Sequence, residues 1–246
     1  MNSPSLIRHP STSQAMRVRC RTVAIALVAL ALVIGTADCL AGVNAGRDGR
    51  ANADEQHRRL APVLPPQARP FGYSLDEMAR LIAPFNISDR SAPPPNSPFQ
   101  ILFEGGPMPS FDVKRGTYLY VPLLYNDNSA PILGHFPANA ENRQKALRYW
   151  YSQNEFGVTT MEIIVDGKTT SLGAGYVSGV SFTSPLDDGA TQYLTAAAFI
   201  APLALGVHTV EIHFKATGDA LREPPFNEFF LDGIYEFSIV YSVTVH

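Results

Sequence analysis

The chain holds only two cysteines, Cys20 and Cys39, and both lie in a stretch that reads as an N-terminal leader. Without that leader the chain has no thiol, which excludes a disulfide framework, a thiolate nucleophile and a Cys-ligated metal site. Stability must then come from a hydrophobic core, which a chain of this length can build. Basic charge is scarce as well. The formal charge is -3, and it falls to -6 without residues 1–41, which carry four Arg and one Asp. A chain of that sign lacks the basic stripe that a phosphate backbone requires, so nucleic-acid partners are not expected. There is no G-x-S-x-G elbow, no phosphate-cradling glycine loop ahead of a helix, no H-E-x-x-H, and no repeat of 20–50 residues.

What is present begins with the leader. Arg17, Arg19 and Arg21 precede an apolar run from Val23 to Ile34, followed by Gly35, Thr36 and Ala37. Positive charge, a short apolar run and small residues describe a secretory signal peptide over 1–41, and the run is short of the roughly 20 residues that span a bilayer. Cleavage is expected after Ala41, with Ala45 as the second choice and Met16 as the true start. The mature protein is then exported, periplasmic or extracellular, with no membrane span after cleavage. Residues 42–98 read as a flexible Pro/Ala/Gly-rich linker that holds one short helix near 75–83, and His57 in it reads as solvated. Residues 99–246 read as the folded domain.

The helix has a clear start. Ser74-Leu75-Asp76-Glu77 is a capping box, and Leu75, Met78, Leu81, Ile82 and Phe85 follow at helical spacing. Pro84 is expected to end it. Phe99 to Glu104 reads as a first strand broken by Gly105-Gly106-Pro107. Thr117 to Tyr125 reads as a buried strand with an edge or bulge at Pro122. A second helix is expected over 140–153, capped by Asn139, with Leu147, Trp150 and Tyr151 on one face. Thr159 to Leu172 is the clearest hairpin, since Asp166-Gly167 suits the positive dihedrals of a tight turn. Gly175 to Phe182, Thr191 to Ile200, Val207 to Lys215 and Ile234 to Val245 complete the strands. In Val207 to Lys215 the apolar Val210, Ile212 and Phe214 alternate with Thr209, Glu211, His213 and Lys215. Seven or eight short strands with turns between them predict a mainly β fold, an antiparallel β-sandwich, Ig-like or jelly-roll-like, with two short α-helices.

Tyr73-Ser74, Gly116-Thr117-Tyr118-Leu119-Tyr120-Val121-Pro122, Pro202-Leu203 and Gly206-Val207-His208-Thr209-Val210 together make the chain resemble a family of uncharacterised secreted bacterial β-rich proteins. That resemblance implies export and a β-rich fold, and it carries no established activity.

Candidate chemistry is sparse. Glu211 and His213 share a strand face two residues apart and are a candidate metal pair for zinc, which needs a third ligand. His208 reads as a core-edge histidine. Asn126-Asp127-Asn128, Asp187-Asp188-Gly189 and Glu228 with Asp232 are acidic loops that would admit calcium, though these are also ordinary turn residues. No cofactor is expected beyond calcium or zinc at these places. Tyr118, Tyr120, Tyr149 and Trp150 are the candidate ligand-binding aromatics, since such rings combine apolar area with a polar handle. The leading function is therefore a non-catalytic binding or structural module of the envelope or extracellular space, its partner a glycan or an envelope protein. A secreted hydrolase acting on glycans is the first alternative and a metal-dependent binding protein the second.

Overall fold

Alternating apolar and polar residues build two sheets whose inner faces meet in one hydrophobic cluster. The structure, a computed structural model, describes residues 62–88, 92–103 and 109–246. The leader with its two cysteines, His57 and the Gly105-Gly106-Pro107 break lie outside the described residues.

The four-stranded sheet contains β1 (Gln100–Ile101), β3 (Leu119–Asp127), β6 (Val177–Ser181) and β7 (Gln192–Ile200), in the order β1-β3-β7-β6. The five-stranded sheet contains β2 (Ser110–Val113), β4 (Val158–Val165), β5 (Lys168–Ser171), β8 (Gly206–Ala216) and β9 (Tyr235–Val245), in the order β2-β9-β8-β4-β5. Pairing is antiparallel except at two places, where β1 runs parallel to β3 and β2 parallel to β9. The fold is thus mainly β with two sheets and two helices. The stretch from Val207 to Lys215 falls within β8 at the centre of its sheet, between β9 and β4, and Val210, Ile212 and Phe214 point into the core as their alternation predicts.

β7 is the unusual strand, because nearly every one of its residues is buried. Leu194, Ala196, Ala198 and Ile200 enter the cluster shared with the five-stranded sheet. Tyr193, Ala197 and Phe199 enter clusters on the opposite face, which are closed by α1 (Leu75–Ile87). The four-stranded sheet therefore needs a cover on each side, as two-sided apolar strands do. The helix starts as its sequence predicts: the Ser74 hydroxyl accepts from the Glu77 amide at 3.2 Å, and the Ser74 amide donates to the Glu77 carboxylate at 2.6 Å. It does not stop at Pro84. A proline inside a helix costs about 3 kcal/mol, but Phe85 and Ile87 are both buried beyond it, and each such burial contributes about 1.5–3 kcal/mol. Asn86 then fixes the last turn, donating to the Tyr193 hydroxyl at 2.7 Å and accepting from Tyr125 at 2.8 Å.

Residues expected as linker also join the sheet. Val63 bridges Ile200, and the Leu64 amide donates to the Phe199 carbonyl at 2.8 Å, extending the sheet edge beyond the end of β6. The second helix, α2 (Arg143–Tyr151), is shorter than its periodicity predicts. Asn142 caps it, accepting from the Lys145 amide at 3.1 Å, while Asn139 closes the preceding turn onto Asn142. Asn139 is an equally good turn former, so composition alone misplaces the cap by three residues. The strand at Ser110–Val113 escapes the sequence patterns because it is four residues long and, among the described residues, pairs only with the distant β9. Pro122 sits inside β3, where the register shifts between Pro122 and Leu124, the bulge that its missing N–H requires.

The hairpin at Asp166-Gly167 is a two-residue turn with φ of 49° and 78°. It is tied to the turn before β8 through His208. The His208 Nδ1 lies 2.7 Å from Asp166 Oδ2, and Nε2 lies 2.9 Å from the Ala204 carbonyl oxygen. A carbonyl only accepts and a carboxylate only accepts, so both ring nitrogens are best used as donors, which is the imidazolium form. Burial is the largest single influence and pulls the His208 pKa down, but the bonds to Asp166 and Ala204 and the Asp166 charge together raise it above its ordinary 6.5. A raised folded value means that this link stabilises fully below pH 6.5 and is lost as pH rises through the higher folded value. Chemical-denaturation midpoints should accordingly fall as pH rises from about 6 to about 9, and Asp166→Asn should flatten that slope.

Candidate functional site

The site is built on a strained turn. Pro70 and Phe71 form its corner, closed by the Gly72 amide donating to the Arg69 carbonyl at 2.9 Å. Phe71 has φ 53° and ψ 21°, the left-handed position after proline that ordinarily takes glycine. Holding a bulky residue there costs roughly 1–3 kcal/mol and persists only where the surroundings impose it. Arg69 imposes it. Its Nε donates to the Gly72 carbonyl at 3.2 Å, and its Nη2 donates to Glu77 at 2.9 Å, anchoring the turn to the first turn of α1. The Ser74 amide, the Ser74 hydroxyl and the Arg69 guanidinium hold the Glu77 carboxyl below its ordinary range.

The turn places Phe71 in the open, 60% exposed. Its ring meets Tyr118 edge-on at 5.3 Å and Phe99 edge-on at 5.7 Å, and Tyr73 meets Phe99 at 5.7 Å. Phe99 is buried and rests on Phe199 at 4.9 Å. The exposed Phe71 and the half-buried Tyr73 and Tyr118 are thus grouped over a buried aromatic base at one end of the four-stranded sheet. Each offers area at the cost of few rotatable bonds, and the tyrosines add a polar handle. Tyr118 precedes β3, which positions it, while Phe71 and Tyr73 come from the chain leading into α1.

Of the four aromatics singled out by sequence, Tyr118 is the one at this surface. Tyr120 is fully buried beneath α1, and its hydroxyl has no hydrogen-bond partner among the described residues. Tyr149 is buried with its hydroxyl donating to the Leu133 carbonyl at 3.1 Å, and Trp150 is 0% exposed with its indole N–H directed at Met161 Sδ, 3.3 Å away. Burial pushes both tyrosine phenols well up, so each keeps its proton. The rings of Tyr120, Tyr149 and Trp150 face the core, out of reach of a ligand in solvent; they pin helices to sheets.

The proposed metal pair is placed on the open face of β8. His213 Nε2 lies 2.6 Å from Glu211 Oε1, and the Ser238 hydroxyl donates to the same oxygen at 2.9 Å. The two residues engage each other, and among the described residues no group of three or more His, Cys, Asp or Glu gathers as metal ligands do. The acidic loops are held as turns: Asp127 accepts from the Ser129 amide, Asn128 from the Thr191 and Gln192 amides, and Asp188 from the Ala190 amide. Asp232 lies in a 3-10 turn at φ 60°. Among the described residues, no helix is long and apolar enough to cross a membrane.

Phe71 and Tyr73 were not legible as site residues. The local signal is Pro70-Phe71-Gly72, an aromatic in a turn slot, but its meeting with Tyr118 depends on contacts across more than forty residues. No family model matches the chain, and no curated protein matches it. The chain is similar to one solved structure, titled "Solution Structure of Amebosin", at 12% identity and a TM-score of 0.26, over 61% of this chain and 100% of that one.

Proposed function

We propose that this is an exported, non-catalytic binding module of the envelope or extracellular space, whose two sheets form a sandwich that presents an aromatic patch to a glycan. Kinship with secreted bacterial β-rich proteins, and an Ig-like or jelly-roll-like arrangement of the sandwich, belong to the same proposal. The observation that carries it is Phe71: a large apolar ring kept exposed on a backbone conformation that disfavours it. Strain of that kind is usually retained for function, because stability alone selects glycine there. Tyr73 and Tyr118 beside it provide flat apolar faces with hydroxyls at the rim, the combination that stacks on a sugar ring and bonds its hydroxyls. Tyr73 and Tyr118 each belong to one of the sequence motifs on which the family resemblance rests.

Phe71→Gly separates binding from folding. It removes the strain at φ 53° and little buried area, so stability should hold or rise by about 0.5–1 kcal/mol in denaturant titration. Binding to the glycan found on an array should fall about tenfold or more in the same variant and in Tyr118→Ala. A stability loss above about 2 kcal/mol with glycan binding unchanged would show that Phe71 serves packing alone.

A further inference from the structure

A second concave surface lies apart from the aromatic patch. Between α1, α2 and the outer edge of β6 runs a groove of about 430 Å³, within the roughly 300–1,000 Å³ of small-ligand sites. Gly179 of β6 is in its lining, and its lack of a side chain lets the chain before α2 pack against the strand. A Cβ there would stand 1.9 Å from the Ala140 carbonyl oxygen. The strand edge is already occupied at both ends. Arg143 Nη1 donates to the Val177 carbonyl at 3.0 Å and Arg80 Nη1 to the Ser181 carbonyl at 2.8 Å, while the Ser181 amide donates to Glu141 at 3.3 Å. Side chains that hold an edge in this way block an added strand.

The charges along the walls do not all cancel. Glu77 pairs with Arg69 at 2.9 Å, and Arg80 with Glu141 at 2.7 Å. Arg143 spends its two terminal nitrogens on the carbonyls of Val177 and Ala174, which carry no charge. Asp76, in the first turn of α1, has no ion pair among the described residues. One cation and one anion, on different helices, therefore line the same groove without an ionic partner, together with the apolar Ala146, Leu147 and Val180.

We propose that this groove binds a short zwitterionic peptide, its α-ammonium at Asp76 and its α-carboxylate at Arg143. The two carbonyl bonds hold the guanidinium in place, so little conformational freedom remains to be lost on binding. Arg143 is also the first residue of α2, whose N-terminal end favours an anion. Ala146, Leu147 and Val180 in the lining offer apolar contact to small side chains.

Trialanine, titrated into the intact protein by calorimetry or by NMR shift mapping, tests this beside its N-acetylated and C-amidated forms. Trialanine should bind, and each cap should weaken binding about tenfold or more. Asp76→Asn should abolish the penalty for acetylation alone, and Arg143→Gln the penalty for amidation alone. Phe71→Gly should leave trialanine binding unchanged, so the result is independent of the glycan reading. Absence of binding up to about 10 mM, affinity indifferent to both caps, or loss of binding in Phe71→Gly each overturns the assignment. The capped peptides report on the unaltered protein, so the test stands even if a variant fails to fold.

Discussion

A sheet with apolar side chains on both faces must be covered twice, and this one constraint sets the architecture. Alternate residues of β7 point to the five-stranded sheet on one side and to α1 on the other, and almost all are buried. Without α1, Tyr120, Tyr193, Ala197 and Phe199 would face water. Fully burying each large side chain of this kind is worth about 1.5–3 kcal/mol, so the helix is part of the core and not an appendage. The same demand explains why the helix runs through Pro84 and why Asn86 is tied to both β3 and β7.

The two surfaces discussed as sites follow from that cover. The first turn of α1 receives Arg69, which braces the strained corner at Phe71 and so fixes the aromatic patch beside Tyr118. One turn further on, Arg80 reaches the edge of β6 and Glu141, while α2 approaches the same edge from the other side with Arg143. The helix thus serves two surfaces from one packed position, and each is rigid because it stands on buried aromatic or strand backbone.

Local signals made the scaffold legible. The capping box at Ser74, the Asp166-Gly167 turn and the alternation in β8 and β9 are each decided within a few residues, and the structure has them where the sequence places them. What depends on distant partners was hidden. The strand at Ser110–Val113 exists through its pairing with β9, and the burial of Tyr120, Tyr149 and Trp150 depends on which faces the helices cover. Tyr118 was identifiable as an aromatic on a strand, but the patch around it needed Phe71 and Tyr73, brought close by the turn before α1. Glu211 and His213 do share a face, as their spacing requires, yet that spacing could not reveal that they bond each other.

Because everything at both surfaces hangs on α1 being a core element, its opening free energy is the decisive quantity. Native-state hydrogen exchange followed by NMR measures it residue by residue. The amides of Ile82 and Phe85 should be as protected as those of Leu194 and Ala198 in β7, exchanging only when the whole domain unfolds. Exchange at Ile82 and Phe85 that is faster by a thousandfold or about 4 kcal/mol, with β7 still protected, would contradict the packing described and remove the support from both surfaces.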